Sequence, residues 1–307
     1  MRTEFSYFVE HLNAKTEHLE PADLNVEELT MVKDYVETTR HIQEINSLFH
    51  IFRFNLKNIL HNYNLFGSDK VERKIEYDFE VSDDIAINAL TIGFISSGKT
   101  LIESIESFLK MNSEKLHQEF KKNCLMKEYD DNFHYRLLLR LRDYAQHGHF
   151  PVWVNFDNKF CFDLNHILST PHFNHNSNVK NQMDDIEKDI FNKYSDYPYI
   201  AFTLSLAEFN VCTTRIYLEF LDKIRSLLHG SVENIESLLK KHPEIIHESS
   251  DIFNGHIFYE LVGDNLHSFN SKDNPEKMIL QYINFVSGVL EKEQLELDKL
   301  RSNFKFT

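Results

Sequence analysis

The octapeptide GFISSGKT, residues Gly93–Thr100, decides between two fold classes for this chain. It matches the pattern G-x4-G-K-T, in which backbone N–H groups wrap phosphates, the lysine reaches the β- and γ-phosphates, and the threonine binds Mg²⁺. That chemistry needs a strand, then a loop, then a helix. Apolar residues instead continue through the match at steps of three and four, in one register: Ile87, Leu90, Phe94, Leu101, Ile105 and Phe108. The sequence therefore predicts a helix here, with Gly98 on its apolar seam, where a missing side chain lets another helix approach closely.

The composition favours a mostly α protein. The 307 residues contain 8 glycines, where average usage would give roughly 21, so few turns are specified. The apolar and charged fractions, 42% and 26%, are typical of a soluble globular chain. No apolar run approaches the ~20 residues that span a bilayer, and the N-terminal residues do not resemble a signal peptide. The three cysteines, at 124, 161 and 212, form no CxxC pair, and we expect a cytoplasmic protein with no membrane contact.

Spacing and capping residues predict long helices through most of the chain. Asn25 is expected to cap the first long helix, with Glu28 as its capping-box partner, and this helix stops near Gly67. The helix that contains GFISSGKT begins at Ser82 or Asp83. Residues 3–20 are interpreted as a shorter helix.

We expect two regions, with a boundary near Gly230. Residues 1–228 form the main helical bundle. Residues 229–307 form a helical C-terminal region with a short helix at 232–241, a possible strand at HIFYELV and a final helix from Pro275 to about Asn303. The charged end of that helix can project or pair with a partner.

A second stretch, LRLRDYAQHGHFPVWV (Leu139–Val154), changes from one secondary structure to another. Its apolar residues continue a helix that Asp130 or Asp131 begins. Gly148 is positioned to end this helix, and Pro151 prevents its return. Beyond the proline, the alternating segments VWVNF and KFCFDL flank an Asp-Asn turn and predict a β-hairpin over residues 152–163.

The helix end carries the residues R-D-x3-H, at Arg142, Asp143 and His147. Asp143 and His147 share a helix face, so the carboxylate can orient the imidazole. Arginine grips phosphate with forked donors. Histidine, with an ordinary pKa near neutrality, can take a proton from a ribose 2′-OH or give one to a leaving oxygen. These groups suffice to cleave RNA without a metal, because the 2′-OH serves as an internal nucleophile.

At these residues the chain resembles the HEPN superfamily (higher eukaryotes and prokaryotes nucleotide-binding). The mark of that family is an arginine, a polar residue and then a histidine, near a helix end in an α-helical bundle. Arg142 to His147 fits, the following G-H-F-P resembles the tail of several members, and the likeness extends loosely over residues 25–228. The resemblance implies a homodimer that brings two motifs into one cleft.

The same resemblance implies a metal-independent endoribonuclease of toxin–antitoxin or phage-defence systems, with RNA as substrate and no cofactor. An antitoxin or other regulatory protein is a possible partner. By this resemblance Arg142 and His147 are catalytic and Asp143 is supportive, while Tyr144 and Gln146 line the cleft or pack. His149 also lies within the family's spacing and is an alternative catalytic histidine.

Other interpretations stay open. The net charge of −15 argues against a general nucleic-acid binder and favours a non-catalytic helical interaction protein. In that interpretation Arg142 forms a salt bridge and His147 caps the helix terminus. The segment Lys110–Arg142 nonetheless holds eight Lys/Arg against five Asp/Glu and can attract an anion. A P-loop nucleotide hydrolase is the third alternative. A metal site among His147, His149, His166, His172 and His175 is disfavoured, because their spacing is irregular.

Overall fold

The computed structural model describes residues 7–10, 21–22, 25–63, 82–154, 159–170, 199–241, 255–262, 265–272 and 275–304. The helices there are α1 (Val26–Asn62), α2 (Asp83–Asn112), α3 (Glu114–Phe120), α4 (Met126–Asp131), α5 (Phe133–Gln146), α6 (Leu164–Ser169), α7 (Phe202–Lys241) and α8 (Pro275–Phe304). One π-helical turn, Lys121–Leu125, joins α3 to α4. Most of the described residues are helical, which confirms the mostly α, bundle-like fold class.

The strands form two antiparallel sheets. They are β1 (Tyr7–Glu10), β2 (Pro21–Ala22), β3 (Trp153–Val154), β4 (Phe160–Asp163), β5 (Tyr199–Ala201), β6 (Gly255–Val262) and β7 (Asn265–Lys272). One sheet has the order β2-β1-β6-β7 and the other the order β3-β4-β5. The hairpin predicted after the motif is confirmed as β3 and β4, with Trp153 opposite Cys161, and β5 adds a strand that the sequence did not indicate.

The chain forms two compact units, residues 1–46 with 220–286 and residues 47–219 with 287–307. The first unit holds the sheet β2-β1-β6-β7. The strand expected at HIFYELV is confirmed as part of β6, but the helix predicted over residues 3–20 is wrong at residues 7–10. Those residues are Tyr-Phe-Val-Glu, rich in the aromatic and β-branched types that fit a pleated strand, and they pair with β6.

The interruption predicted at His229-Gly230 is also wrong, because α7 continues through both residues. Leu228, Val232 and Ile235 are buried on either side of Gly230. Their burial sustains the helix against the cost of an interior glycine, about 1 kcal/mol relative to alanine. The short helix expected over residues 232–241 is thus the C-terminal part of α7.

The capping box predicted at the start of α1 is confirmed. The Asn25 side chain accepts a hydrogen bond from the Glu28 backbone N–H at 2.9 Å, and the Glu28 carboxylate accepts one from the Asn25 N–H at 3.0 Å. Glu28 is buried and also pairs with Lys241 of α7. The N-terminus of α1 is thereby fixed by its own sequence within the first unit.

An aromatic core holds the second unit together. The Phe52 ring of α1 stacks on the Phe94 ring of α2, with centroids 4.9 Å apart, and the Phe209 ring of α7 meets both edge-on. A Cβ atom built on Gly98 would lie only 2.7 Å from the Phe209 ring. The predicted seam role of Gly98 is therefore confirmed, and α1, α2 and α7 approach closely at this glycine.

The C-terminal half of α8 is bound within the same unit by ion pairs. Glu293 pairs with Arg53 of α1, and Arg301 pairs with Glu208 of α7 at 2.8 Å. Between these pairs, Leu297 packs into a buried apolar cluster with residues of α7. The charged end of the last helix therefore packs against its own chain along at least one face.

Among the described residues, α2 is the one helix long and apolar enough to cross a membrane by length and composition. Half of its most apolar window is buried inside the protein. A core helix passes the same test, and the packing at Gly98 accounts for the apolar character of α2.

Candidate functional site

The end of α5 holds the motif at the surface. α5 begins after Asn132, one residue beyond the predicted cap, and ends at Gln146. Leu137, Leu138 and Leu141 are buried and anchor one face of the helix in the core. Gly148 then takes a φ of +84°, a conformation that favours glycine. The predicted stop signal is confirmed, and it leaves the last turn of α5 accessible.

The Arg142 side chain is half-buried in that last turn. Its Nη1 donates to Oε1 of Gln146 at 2.6 Å and to Oδ1 of Asp143 at 3.2 Å. Within the described part of the chain, its Nε is buried and has no hydrogen-bond partner. The two bonds hold one end of the guanidinium, and both of them involve Nη1.

Asp143 connects α5 to α2. Its Oδ1 accepts a hydrogen bond from Lys99 Nζ at 3.0 Å as well as the bond from Arg142. Partial burial raises the pKa of the Asp143 carboxyl, but the hydrogen bonds and charges of Lys99 and Arg142 outweigh that effect and lower the pKa below its ordinary value. The carboxylate is therefore ionised at neutral pH and lies between two cations.

The two histidines of the motif differ in their surroundings. His147 is exposed and caps α5, with its backbone N–H bonded to the Tyr144 carbonyl at 3.2 Å. The ring of His149 stacks on the Tyr144 ring, with centroids 4.7 Å apart. Tyr144 is itself buried, with its hydroxyl 3.4 Å from that of Thr170. His147 is thus the more accessible of the two imidazoles.

A clamp on α2 holds the segment that follows the motif. The buried Asn88 side chain donates to the Val152 carbonyl and accepts from the Val152 N–H, both at 2.9 Å. Two aromatic side chains on either side of this clamp reach the surface. Phe150 is 53% exposed, and Trp153 packs against the His166 ring at 4.2 Å. Two exposed aromatic side chains therefore flank the clamp in the segment that follows the motif.

The P-loop interpretation fails on backbone structure. Gly93–Thr100 lies in the interior of α2, with about two helical turns or more on either side. Backbone N–H groups in a helix interior are bonded to carbonyls four residues earlier and cannot wrap a phosphate. The lysine of the match, Lys99, instead meets Asp143 of the other motif.

Sequence reasoning missed Lys99 as a member of the site. The sequence did mark Lys99, as the lysine of a phosphate-binding pattern. That pattern implied a loop, however, and Lys99 lies inside a helix. Only the packing of α2 on α5 brings Lys99 to Asp143. The exposed Trp153 was likewise assigned only to a strand, and Phe150 only to the G-H-F-P tail of the family resemblance.

The lysines and arginines of the basic segment predicted to attract an anion lie on different elements. Lys115, Lys121, Lys122 and Lys127 are exposed on α3, the π turn and α4, where five Asp/Glu side chains outnumber these four lysines. The excess of positive charge in the segment therefore comes from outside these three elements, and Arg142 of the motif is part of it.

No group of three His, Cys, Asp or Glu side chains in the described residues is arranged to hold a metal ion. His172 and His175, two members of the disfavoured cluster, lie outside those residues. No protein-family model matches the chain, and no curated protein or solved structure is significantly similar to it. Any function must therefore be argued from the residues of the site itself.

Proposed function

We propose that this protein is a metal-independent endoribonuclease of the HEPN type, acting in the cytoplasm in prokaryotic defence or toxin-like growth control. One observation carries the proposal: Arg142, whose Nε has no hydrogen-bond partner among the described residues, and the exposed His147 lie in the same helix terminus. This terminus combines a phosphate-binding group with a proton-transfer group.

In the proposed reaction, Arg142 binds the scissile phosphate with its forked donors. His147 accepts the proton of the ribose 2′-OH, and the 2′-oxygen attacks phosphorus. The bond from phosphorus to the 5′-oxygen breaks, and this oxygen takes a proton from His147 of the partner subunit. The products are a 2′,3′-cyclic phosphate and a free 5′-hydroxyl, so a homodimer with two facing motifs completes the site.

The net charge of −15 limits the substrate in this proposal. An acidic surface repels RNA in general and slows its association. We therefore infer a narrow RNA target, or an enzyme that a regulatory protein such as an antitoxin holds inactive.

A second candidate is a non-catalytic helical interaction protein, and a specific contact favours it. Lys99 and Asp143 join α2 to α5, and Arg142 bonds to Gln146 one turn away. Such contacts can be purely structural. In that case Arg142 and His147 only terminate a helix, where a positive charge is favoured.

The test is cleavage of varied RNAs in EDTA by the wild type and by Arg142→Ala, His147→Ala and His149→Ala. His61→Ala is a matched control, because His61 is also an exposed histidine in the last turn of a helix. Growth on induction is scored in parallel. Loss of one general acid–base group typically slows a reaction about 10²- to 10⁴-fold.

The proposal expects the wild type and His61→Ala to cleave RNA and arrest growth, and Arg142→Ala and His147→Ala to do neither. The His149→Ala variant decides which histidine transfers protons. A wild type that leaves every RNA intact and does not slow growth, or variants that match it, would favour the interaction protein.

A further inference from the structure

The Asp143 carboxylate occupies a position suited to an anionic ligand. One oxygen, Oδ1, lies 3.0 Å from Lys99 Nζ and 3.2 Å from Arg142 Nη1. The two donors come from different helices, α2 and α5, and converge on a single point. A carboxylate oxygen and a phosphate oxygen accept hydrogen bonds from lysine and arginine with similar geometry. The carboxylate therefore stands where a phosphodiester oxygen would meet both cations.

All three side chains of this contact are partly accessible to solvent. The Arg142 and Lys99 side chains are 22% and 24% exposed, and the Asp143 side chain is 39% exposed. A ligand in solvent can therefore reach the point where the two cations converge if it displaces the Asp143 carboxylate.

Arg142 has donor capacity left for such a ligand. Within the described residues, both hydrogen bonds of its guanidinium start from Nη1. The buried Nε is unpaired there, and an unsatisfied buried donor is unfavourable until it gains a partner. Because this Nε has no contact with solvent, a phosphate satisfies it only after displacement of Asp143 lets the guanidinium turn toward the ligand.

We propose that Lys99 is a second phosphate-binding residue of this site, and that Asp143 is an internal anion which the RNA phosphate displaces. This inference rests on the proposed function, because it assigns the anion to an RNA backbone. In this inference Asp143 does not support the histidine but competes with the RNA phosphate for Lys99 and Arg142. Asp143 therefore weakens RNA binding, and its replacement leaves both cations available to the substrate.

The inference is tested by binding, separately from cleavage. The probe is a short single-stranded oligonucleotide of mixed sequence with 2′-O-methyl riboses, which lacks the nucleophile and stays intact. Affinity is measured over a range of salt concentrations for the wild type, Lys99→Ala, Lys99→Arg and Asp143→Asn. Lys110→Ala is the matched control, since Lys110 is an exposed lysine on the same helix.

Lys99→Ala should bind the probe about tenfold more weakly, the effect of one lost charge-assisted contact. Its salt slope, log K against log salt, should fall by about 0.7, the value for one phosphate contact on a single strand. Lys99→Arg should keep most of the affinity, and Asp143→Asn should bind several-fold more tightly. Thermal unfolding of each variant verifies that the fold is retained.

Two results would overturn the inference. One is a Lys99→Ala variant that binds like Lys110→Ala, and the other is an Asp143→Asn variant that binds no more tightly than the wild type. If Asp143→Asn also slows cleavage, Asp143 supports the histidine instead. Failure of the proposed function is a different result, namely a wild type that binds no probe and cleaves no RNA.

Discussion

Two stretches of this chain resemble phosphate-binding motifs, and they differ in their place on a helix. GFISSGKT lies inside α2, where its backbone is fully bonded within the helix and Gly98 packs against Phe209. The residues Arg142–His147 lie at the end of α5, where side chains reach solvent and the helix stops at Gly148. The difference teaches that a short motif can act on a ligand only where the backbone leaves its side chains and N–H groups accessible.

The two stretches also meet, through Lys99 and Asp143. Lys99, which lies in a helix and not in a nucleotide-binding loop, is therefore a neighbour of the second motif. Away from this contact, substitutions at the buried Gly98 and at the exposed His147 should have separable effects, the first on stability and the second on chemistry.

His147→Ala should abolish function and leave stability nearly unchanged. We expect cleavage to fall about 10²- to 10⁴-fold, because a proton-transfer group is lost. The free energy of unfolding should change by less than about 0.5 kcal/mol, because the side chain is exposed. Urea unfolding and a cleavage assay on the same preparation measure both. A loss of stability as large as that of a core variant would make His147 a structural residue.

Gly98→Ala should show the reverse pattern. The new Cβ would lie 2.7 Å from Phe209 and 3.1 Å from Phe52, and both rings are fully buried. Overpacking of this kind costs about 1–3 kcal/mol, which outweighs the gain of up to about 1 kcal/mol in helix propensity. The midpoint of urea unfolding should fall accordingly.

Gly93→Ala is the matched control for that substitution. Gly93 lies in the same helix and the same octapeptide, and a Cβ there meets nothing within 4 Å. Alanine should therefore stabilise the protein by up to about 1 kcal/mol. Equal effects of the two substitutions would contradict the assignment of Gly98 to the helix–helix contact.

The smallest effect concerns the ion pair between Lys99 and Asp143. The lowered pKa of Asp143 means that its contribution to stability is present above the unfolded pKa, near ~3.9, and is lost as the pH falls through the folded pKa. Both side chains are partly exposed, so the contribution is only about 0–1 kcal/mol. A double-mutant cycle with Lys99→Met and Asp143→Asn at neutral pH, repeated well below pH ~4, measures it. A coupling energy that persists in acid would contradict this assignment.

Local signals in the sequence predicted the parts of the fold that depend on local physics. The capping box of Asn25 and Glu28 and the stop at Gly148 need only nearby residues. The place of Gly98 on the apolar seam follows from the local spacing, although its partner Phe209 does not. The residues of strand β1 were assigned to a helix, because pairing with β6 joins segments far apart in sequence. Gly230 suggested the end of a helix, but α7 continues through it because the neighbouring Leu228 and Val232 are buried.

The candidate site was predictable in part for the same reason. The motif residues Arg142, Asp143 and His147 lie within one and a half helical turns, so their common location follows from the spacing alone. Lys99 joins them through packing of α2 on α5, a contact across 44 positions of the sequence. No local pattern encodes that contact.

The most direct test of the account compares His147→Ala and Gly98→Ala in one experiment, with RNA cleavage in EDTA and urea unfolding measured on each. The account predicts a crossed result: His147→Ala keeps wild-type stability without cleavage, and Gly98→Ala loses stability but cleaves RNA at the wild-type rate while folded. If folded Gly98→Ala loses cleavage, or if His147→Ala retains it, the separation of the Gly98 packing from the chemistry of His147 is contradicted.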